Sequence, residues 1–211
     1  MKIVRIRGYT LVELLVVISI MAIMTLSAMP IFRNYQNDQK VKAAALQLQE
    51  ALREAQNNAL SGVVCAPNNP ADNWGIIFGD DQTTSTNNYQ VAPVSYSASG
   101  NSLIVSSPCP GGSPPSPPLI TSNFASPIQI LKLNGTSGHN CANHGHLKSL
   151  GIAFQNVSGA IKFASGSNSP NCAPNSGFLE FVLAPARATS PTVTVHVDNG
   201  GAIYTCQGSG C

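Results

Sequence analysis

Charge is what this sequence has least of. Only 9% of its 211 residues are Asp, Glu, Lys or Arg, against roughly 25% in ordinary globular chains. Aromatics are also scarce, at 6% with a single Trp. A disordered, solvated chain is excluded, because that needs high net charge and few apolar residues, and here 43% of residues are hydrophobic. A formal net charge of +2 lacks the basic excess of a nucleic-acid binder. Long apolar runs are equally few. A single segment is long enough to span a bilayer, which excludes a polytopic membrane protein. The signatures of catalysis are missing too: there is no G-x-S-x-G, Walker A lysine, H-E-x-x-H or C-x-x-C. Nothing in the spacing of Asp72, Asp80, Asp81, Glu180 and Asp198 pairs two carboxylates for acid–base work. Neither enzyme activity nor a cofactor is expected, and His196 reads as a surface residue on a polar strand face.

What the chain does have is an asymmetric beginning. Lys2, Arg5 and Arg7 fall in the first eight residues, Glu13 follows, and no charge then appears over residues 14–32. As a helix such a stretch covers about 28 Å, close to the hydrocarbon thickness of a bilayer. The basic flank predicts a cytoplasmic N-terminus with the remainder outside. A secretory signal peptide would have a shorter apolar region ending in a small-residue cleavage site. A plain signal anchor fits the hydropathy equally well.

The string Arg7-Gly8-Tyr9-Thr10-Leu11-Val12-Glu13-Leu14-Leu15 separates these readings. It resembles the class III signal of type IV prepilins and pseudopilins. In that family a peptidase cuts after the Gly and methylates the new N-terminal residue, which here implies Gly8 and Tyr9. Tyr9 stands where the family usually has Phe. The resemblance covers about the first 35 residues and implies a leader at 1–8 and a transmembrane and filament-core helix at 9–32; the spacing beyond it predicts an amphipathic continuation at 33–60 and a β-rich head at 61–211. The resemblance also implies an inner-membrane subunit with its head outside, later held in a pilus or pseudopilus. Its partners would be other pilin or pseudopilin subunits through the N-terminal helix, the prepilin peptidase and N-methyltransferase, and the inner-membrane assembly platform. Glu13 and Pro30 are its assembly residues. A carboxylate inside an apolar segment is costly unless paired, and the α-amino group of Tyr9 in a neighbouring subunit would pair it. Pro30 removes a helical hydrogen bond and loosens the preceding turn.

Beyond Pro30, Val41, Ala45, Leu48, Leu52, Ala55 and Ala59 recur at helical spacing and predict one apolar face. Ser61-Gly62 ends the helix. The period then changes to two, with strands expected at 63–65, 74–78, 90–94, 103–106, 128–133, 151–154, 160–163, 178–183, 192–197 and 202–205. Asp198-Asn199-Gly200-Gly201 supplies a hairpin turn between the last two. Residues 106–118, with six prolines, read as an exposed loop. The fold class expected is α+β, type IV pilin-like: one long N-terminal helix packed on an antiparallel sheet.

The segments around Ala51–Ala59, Val63-Val64-Cys65 and Asn73-Trp74-Gly75-Ile76-Ile77-Phe78-Gly79-Asp80 look like minor pseudopilins of the GspH/FimT type. The chain departs from them in its Pro-rich loop, its extra cysteines and an uncharged tail where DNA-binding members are basic. A major pilin fits the N-terminus equally well. A pilus-tip adhesin or DNA-uptake receptor is the alternative function, although nucleic acid is not an expected partner. Six cysteines facing outward predict disulfides. Six cysteines allow fifteen pairings; Cys206 and Cys211 are close enough to close a small loop, and Cys141 with Cys172 and Cys65 with Cys109 are one way to pair the rest. No metal site is expected. His139, His144 and His146 cluster near Cys141 but match no standard zinc spacing.

Overall fold

A computed structural model describes residues 10–62, 64–66, 69–70, 73–78, 88–97, 102–105, 120–124, 128–134, 142–143, 146–147, 150–155, 160–165, 177–185, 191–208 and 211. Side chains at 27–31 and in several strands, including β1, β5, β6, β8 and β9 below, are not part of that description. The expected loop at 106–118 lies outside it, as do Gly8, Tyr9, Cys109, Cys141, Cys172, His139 and His144.

The chain forms one helix, α1 (Leu11–Leu60), followed by strands β1 (Val64–Ala66), β2 (Asn69–Pro70), β3 (Asn73–Phe78), β4 (Asn88–Ser97) and β5 (Ser102–Val105). Then come β6 (Ile120–Asn123), β7 (Ile128–Asn134), β8 (Ala142–Asn143), β9 (His146–Leu147) and β10 (Leu150–Gln155). The last four are β11 (Ile161–Ser165), β12 (Phe178–Pro185), β13 (Val193–Asp198) and β14 (Ile203–Gln207). The fold is the expected α+β combination of an N-terminal helix and antiparallel sheets. Each expected strand has a counterpart within a few residues. Four strands were not anticipated: β2, β6, β8 and β9. Three of them have two residues each, too few to show any alternation. The fourth, Ile-Thr-Ser-Asn, becomes a strand because it pairs with β4.

Two compact units divide the chain, Met1–Asp38 and Gln39–Cys211. The first contributes the start of α1. Every residue from Thr10 to Leu26 is exposed, and Leu11, Leu14, Leu15, Val16, Val17 and Ile20 lie around the whole circumference. Two hydroxyls within the apolar run, those of Ser19 and Thr25, donate to the carbonyls of Leu15 and Met21 one turn back, at 2.8 and 2.7 Å. They therefore satisfy themselves without water or a neighbour.

The second unit holds the core. Its part of α1 buries Val41, Ala45, Leu48, Leu52, Ala55 and Ala59, the predicted face, together with Ala44 and Ala51. Most of these are alanines, so the helix backbone lies close against what it covers. Asn57 accepts from the amide of Ser61 at 2.8 Å, and Gly62 ends the helix at φ 63°, a left-handed conformation that costs glycine little.

Six strands form one sheet in the order β3-β10-β11-β5-β4-β6. β3 also pairs with β4, so five of these strands close on themselves, the β11–β5 contact being parallel. A four-stranded antiparallel sheet has the order β14-β13-β12-β7. The two share a core: Phe78 of β3 lies with its ring centroid 4.6 Å from that of Phe181 of β12. Tyr89 and Phe124 extend the cluster. Gly75 is where β3 meets β10 most tightly, because a Cβ there would fall on the carbonyl oxygen of Ile152.

Candidate functional site

Two places carry chemistry that the rest of the fold does not explain. The first is the start of α1. Thr10 precedes the helix, and its Oγ1 accepts the amide of Glu13 at 3.3 Å while its carbonyl accepts the amide of Leu14 at 3.2 Å. Thr10 is thus the N-cap and Glu13 the third helical residue, the pattern of a capping box. That role for Thr10 was missed in the sequence reading, although Thr-x-x-Glu ahead of an apolar run announces it. Glu13 is exposed and stands in the first turn, where the helix dipole favours a negative charge. Pro30 falls inside α1, which continues through it as helix; its side chain is not described. Among the residues whose side chains are described, no helix is long and apolar enough to cross a membrane. The continuation of the apolar run through residues 27–31 lies beyond them.

The second place is the outward row of the four-stranded sheet. Glu180, His196 and Tyr204 stand opposite one another on β12, β13 and β14. Glu180 is buried, and His196 Nδ1 lies 3.1 Å from its Oε1. The imidazole is stacked between Phe178 and Tyr204, with centroids 5.2 and 4.7 Å away.

The chain beyond β14 turns back over this row. The Gly208 amide donates to Thr192 at 3.0 Å, and Thr194 Oγ1 donates to the Gly208 carbonyl at 2.7 Å. The amide of Cys211 donates to Glu180 Oε1 at 3.3 Å, and a disulfide joins Cys211 to Cys206. The alternation along 192–197 sets Val193, Val195 and Val197 on one face, and all three are buried. It also assigned Thr194 and His196 to an exposed polar face. The structure corrects that: Thr194 is fully buried and His196 largely so, because the returning tail and the cross-strand carboxylate cover them. Of the other expected site residues, Cys65 lies in β1 and His146 in β9, with only their backbone described.

Residues 4–29 match the prokaryotic N-terminal methylation motif. No curated protein and no solved structure is significantly similar to the chain. The motif implies processing by a prepilin peptidase and assembly with other subunits, and it points to a structural subunit and not to an enzyme. It fits a membrane-anchored protein. The capped, charge-bearing helix start and the matched motif coincide, and together they support a type IV pilin- or pseudopilin-like precursor.

Proposed function

We propose that this chain is a minor pilin or pseudopilin, cut after Gly8, methylated on Tyr9, and assembled through α1 into a type IV pilus or type II secretion pseudopilus. The observation that carries the reading is the first unit of the structure. Over residues 11–26 it is a helix with apolar residues on all sides, the hydroxyls of Ser19 and Thr25 satisfied internally, and Glu13 as its one charge. Such a helix cannot remain in water and needs lipid or copies of itself around it. Before assembly it holds the subunit in the inner membrane, with the head outside. In the filament Glu13 meets the α-amino group of a neighbouring Tyr9, and the two charges offset each other's desolvation. The Trp74 strand, with its likeness to the GspH/FimT type, favours a minor subunit.

Mass spectrometry of the membrane fraction is the direct test. The expected product begins at N-methylated Tyr9; a chain retaining Met1 in assembled filaments overturns the reading.

A further inference from the structure

The disulfide Cys206–Cys211 closes over Glu180 and His196. The ligand-capable atoms of Glu180, His196 and Cys211 all lie within 4.8 Å of one another. Cys206 Sγ is bonded to Cys211 Sγ. Four side chains of three chemical kinds therefore converge from β12, β13, β14 and the tail. We propose that reduction of this disulfide converts the clasp into a zinc site, with Cys206, Cys211, His196 and Glu180 as the four ligands.

Geometry supports zinc. Around a tetrahedral zinc, a nitrogen and an oxygen ligand each about 2.1 Å from the metal stand about 3.4 Å apart. His196 Nδ1 and Glu180 Oε1 are already 3.1 Å apart. The sulfurs must separate and move by about an ångström, and that becomes open to them once the S–S bond is broken. The tail can follow, since Gly208 and Gly210 lie between the two cysteines. Two thiolates, an imidazole and one carboxylate suit zinc, whereas calcium and magnesium require oxygen ligands throughout. Cys211 is exposed and Glu180 buried, so the ion enters from the tail side and ends against the carboxylate.

The chemistry balances with a named reductant. A phosphine attacks one sulfur, the S–S bond breaks, and water converts the phosphorus to its oxide. The sulfurs gain two electrons and the two protons of that water. A dithiol that reaches the head does the same and becomes a disulfide. Zinc binding then releases both thiol protons to solvent. The tail stays fastened over β12 and β13 in either redox state, by a disulfide or by a metal.

The test uses the full chain in detergent, reduced with a phosphine, freed of it without oxygen, and titrated with Co²⁺. One equivalent should bind, giving thiolate-to-cobalt charge transfer and tetrahedral d–d bands, and the oxidised chain should show neither. Cys211→Ser and His196→Ala should each weaken binding by at least about tenfold, the least that loss even of an outer-shell partner costs a metal site. Equal affinity in wild type and Cys211→Ser overturns the proposal, because the metal would then sit on other thiols. So does an absence of cobalt bands in the reduced wild type. A second measurement needs no variant. In the reduced wild type Zn²⁺ should slow alkylation of Cys206 and Cys211, read peptide by peptide; unchanged rates at both cysteines overturn the proposal.

Discussion

At Gly75 the smallest side chain is dictated by backbone. A Cβ there would meet the carbonyl of Ile152 and approach Val94, and neither strand can yield without disturbing the pairing of β3 with β10 and β4. Gly75→Ala should therefore destabilise the fold by about 1–3 kcal/mol, as overpacking does, seen as a lower denaturant midpoint for the full chain in detergent. Glu13 poses a different question, because it has two roles to separate. As a first-turn residue it needs only a polar side chain that fits a capping box, and Gln serves there as well as Glu. As a partner for a neighbour's α-amino group it needs its charge. Glu13→Gln should therefore leave the subunit stable in the membrane and abolish its incorporation into filaments, measured by comparing membrane and sheared-filament fractions. Normal incorporation would leave capping as its whole role. Thr10 and Glu13 were legible in sequence because the cap spans four residues. The Glu180–His196 pair was not, since its members come from different strands and its cover comes from the tail.

Helix α1 changes character along its length, and both halves can be read from spacing. In the second unit the buried face repeats every three or four residues, and Leu48 and Leu52 are its largest members, fully buried. Leu48→Ala or Leu52→Ala should cost about 2–5 kcal/mol. Leu46→Ala, at a position 58% exposed, should change stability by less than about 0.5 kcal/mol. Thermal unfolding of the three variants side by side checks the contrast. The polar side of the same helix has a task that spacing does not reveal. Gln49 and Arg53 both donate to the carbonyl of Ile203 at 3.2 Å, and Gln56 donates to that of Gly201 at 3.1 Å. These carbonyls lie on and beside β14, an outer strand of the four-stranded sheet, so the helix covers backbone groups that another chain could otherwise pair with. The hairpin between β13 and β14 was legible, because Asp198 accepts the Ala202 amide and Gly201 adopts φ 95°, as the Asp-Asn-Gly-Gly sequence invites.

On the scale of the molecule, the net charge of +2 divides unevenly. Lys2, Arg5 and Arg7 precede Gly8, and a chain cut there keeps eight basic and nine acidic side chains. In the proposed function the basic balance is a signal for orientation in the membrane, and a chain cut after Gly8 would carry no excess to draw it to nucleic acid. The core is divided unevenly as well, since among the described residues every buried core residue lies between Val41 and Ile203. A chain of residues 39–211 should therefore fold without the apolar segment, stay monomeric without detergent, and melt cooperatively; circular dichroism and gel filtration check this, with loss of the cooperative transition as the contrary result. By itself the sequence determined the features whose physics is local: the placing of the first basic charges, the apolar run, the helix cap and buried face, most strands, and the final turn. Each depends on residues a few positions apart, where hydropathy period, capping and turn chemistry act. Tertiary structure alone decided which strands meet, that β3 closes onto β4 while Phe78 reaches Phe181, and that a nominally polar strand face is covered by the tail. Those outcomes depend on packing between residues far apart in the chain, where many pairings satisfy the same alternation and only the mutual burial of both sheets and the helix selects one.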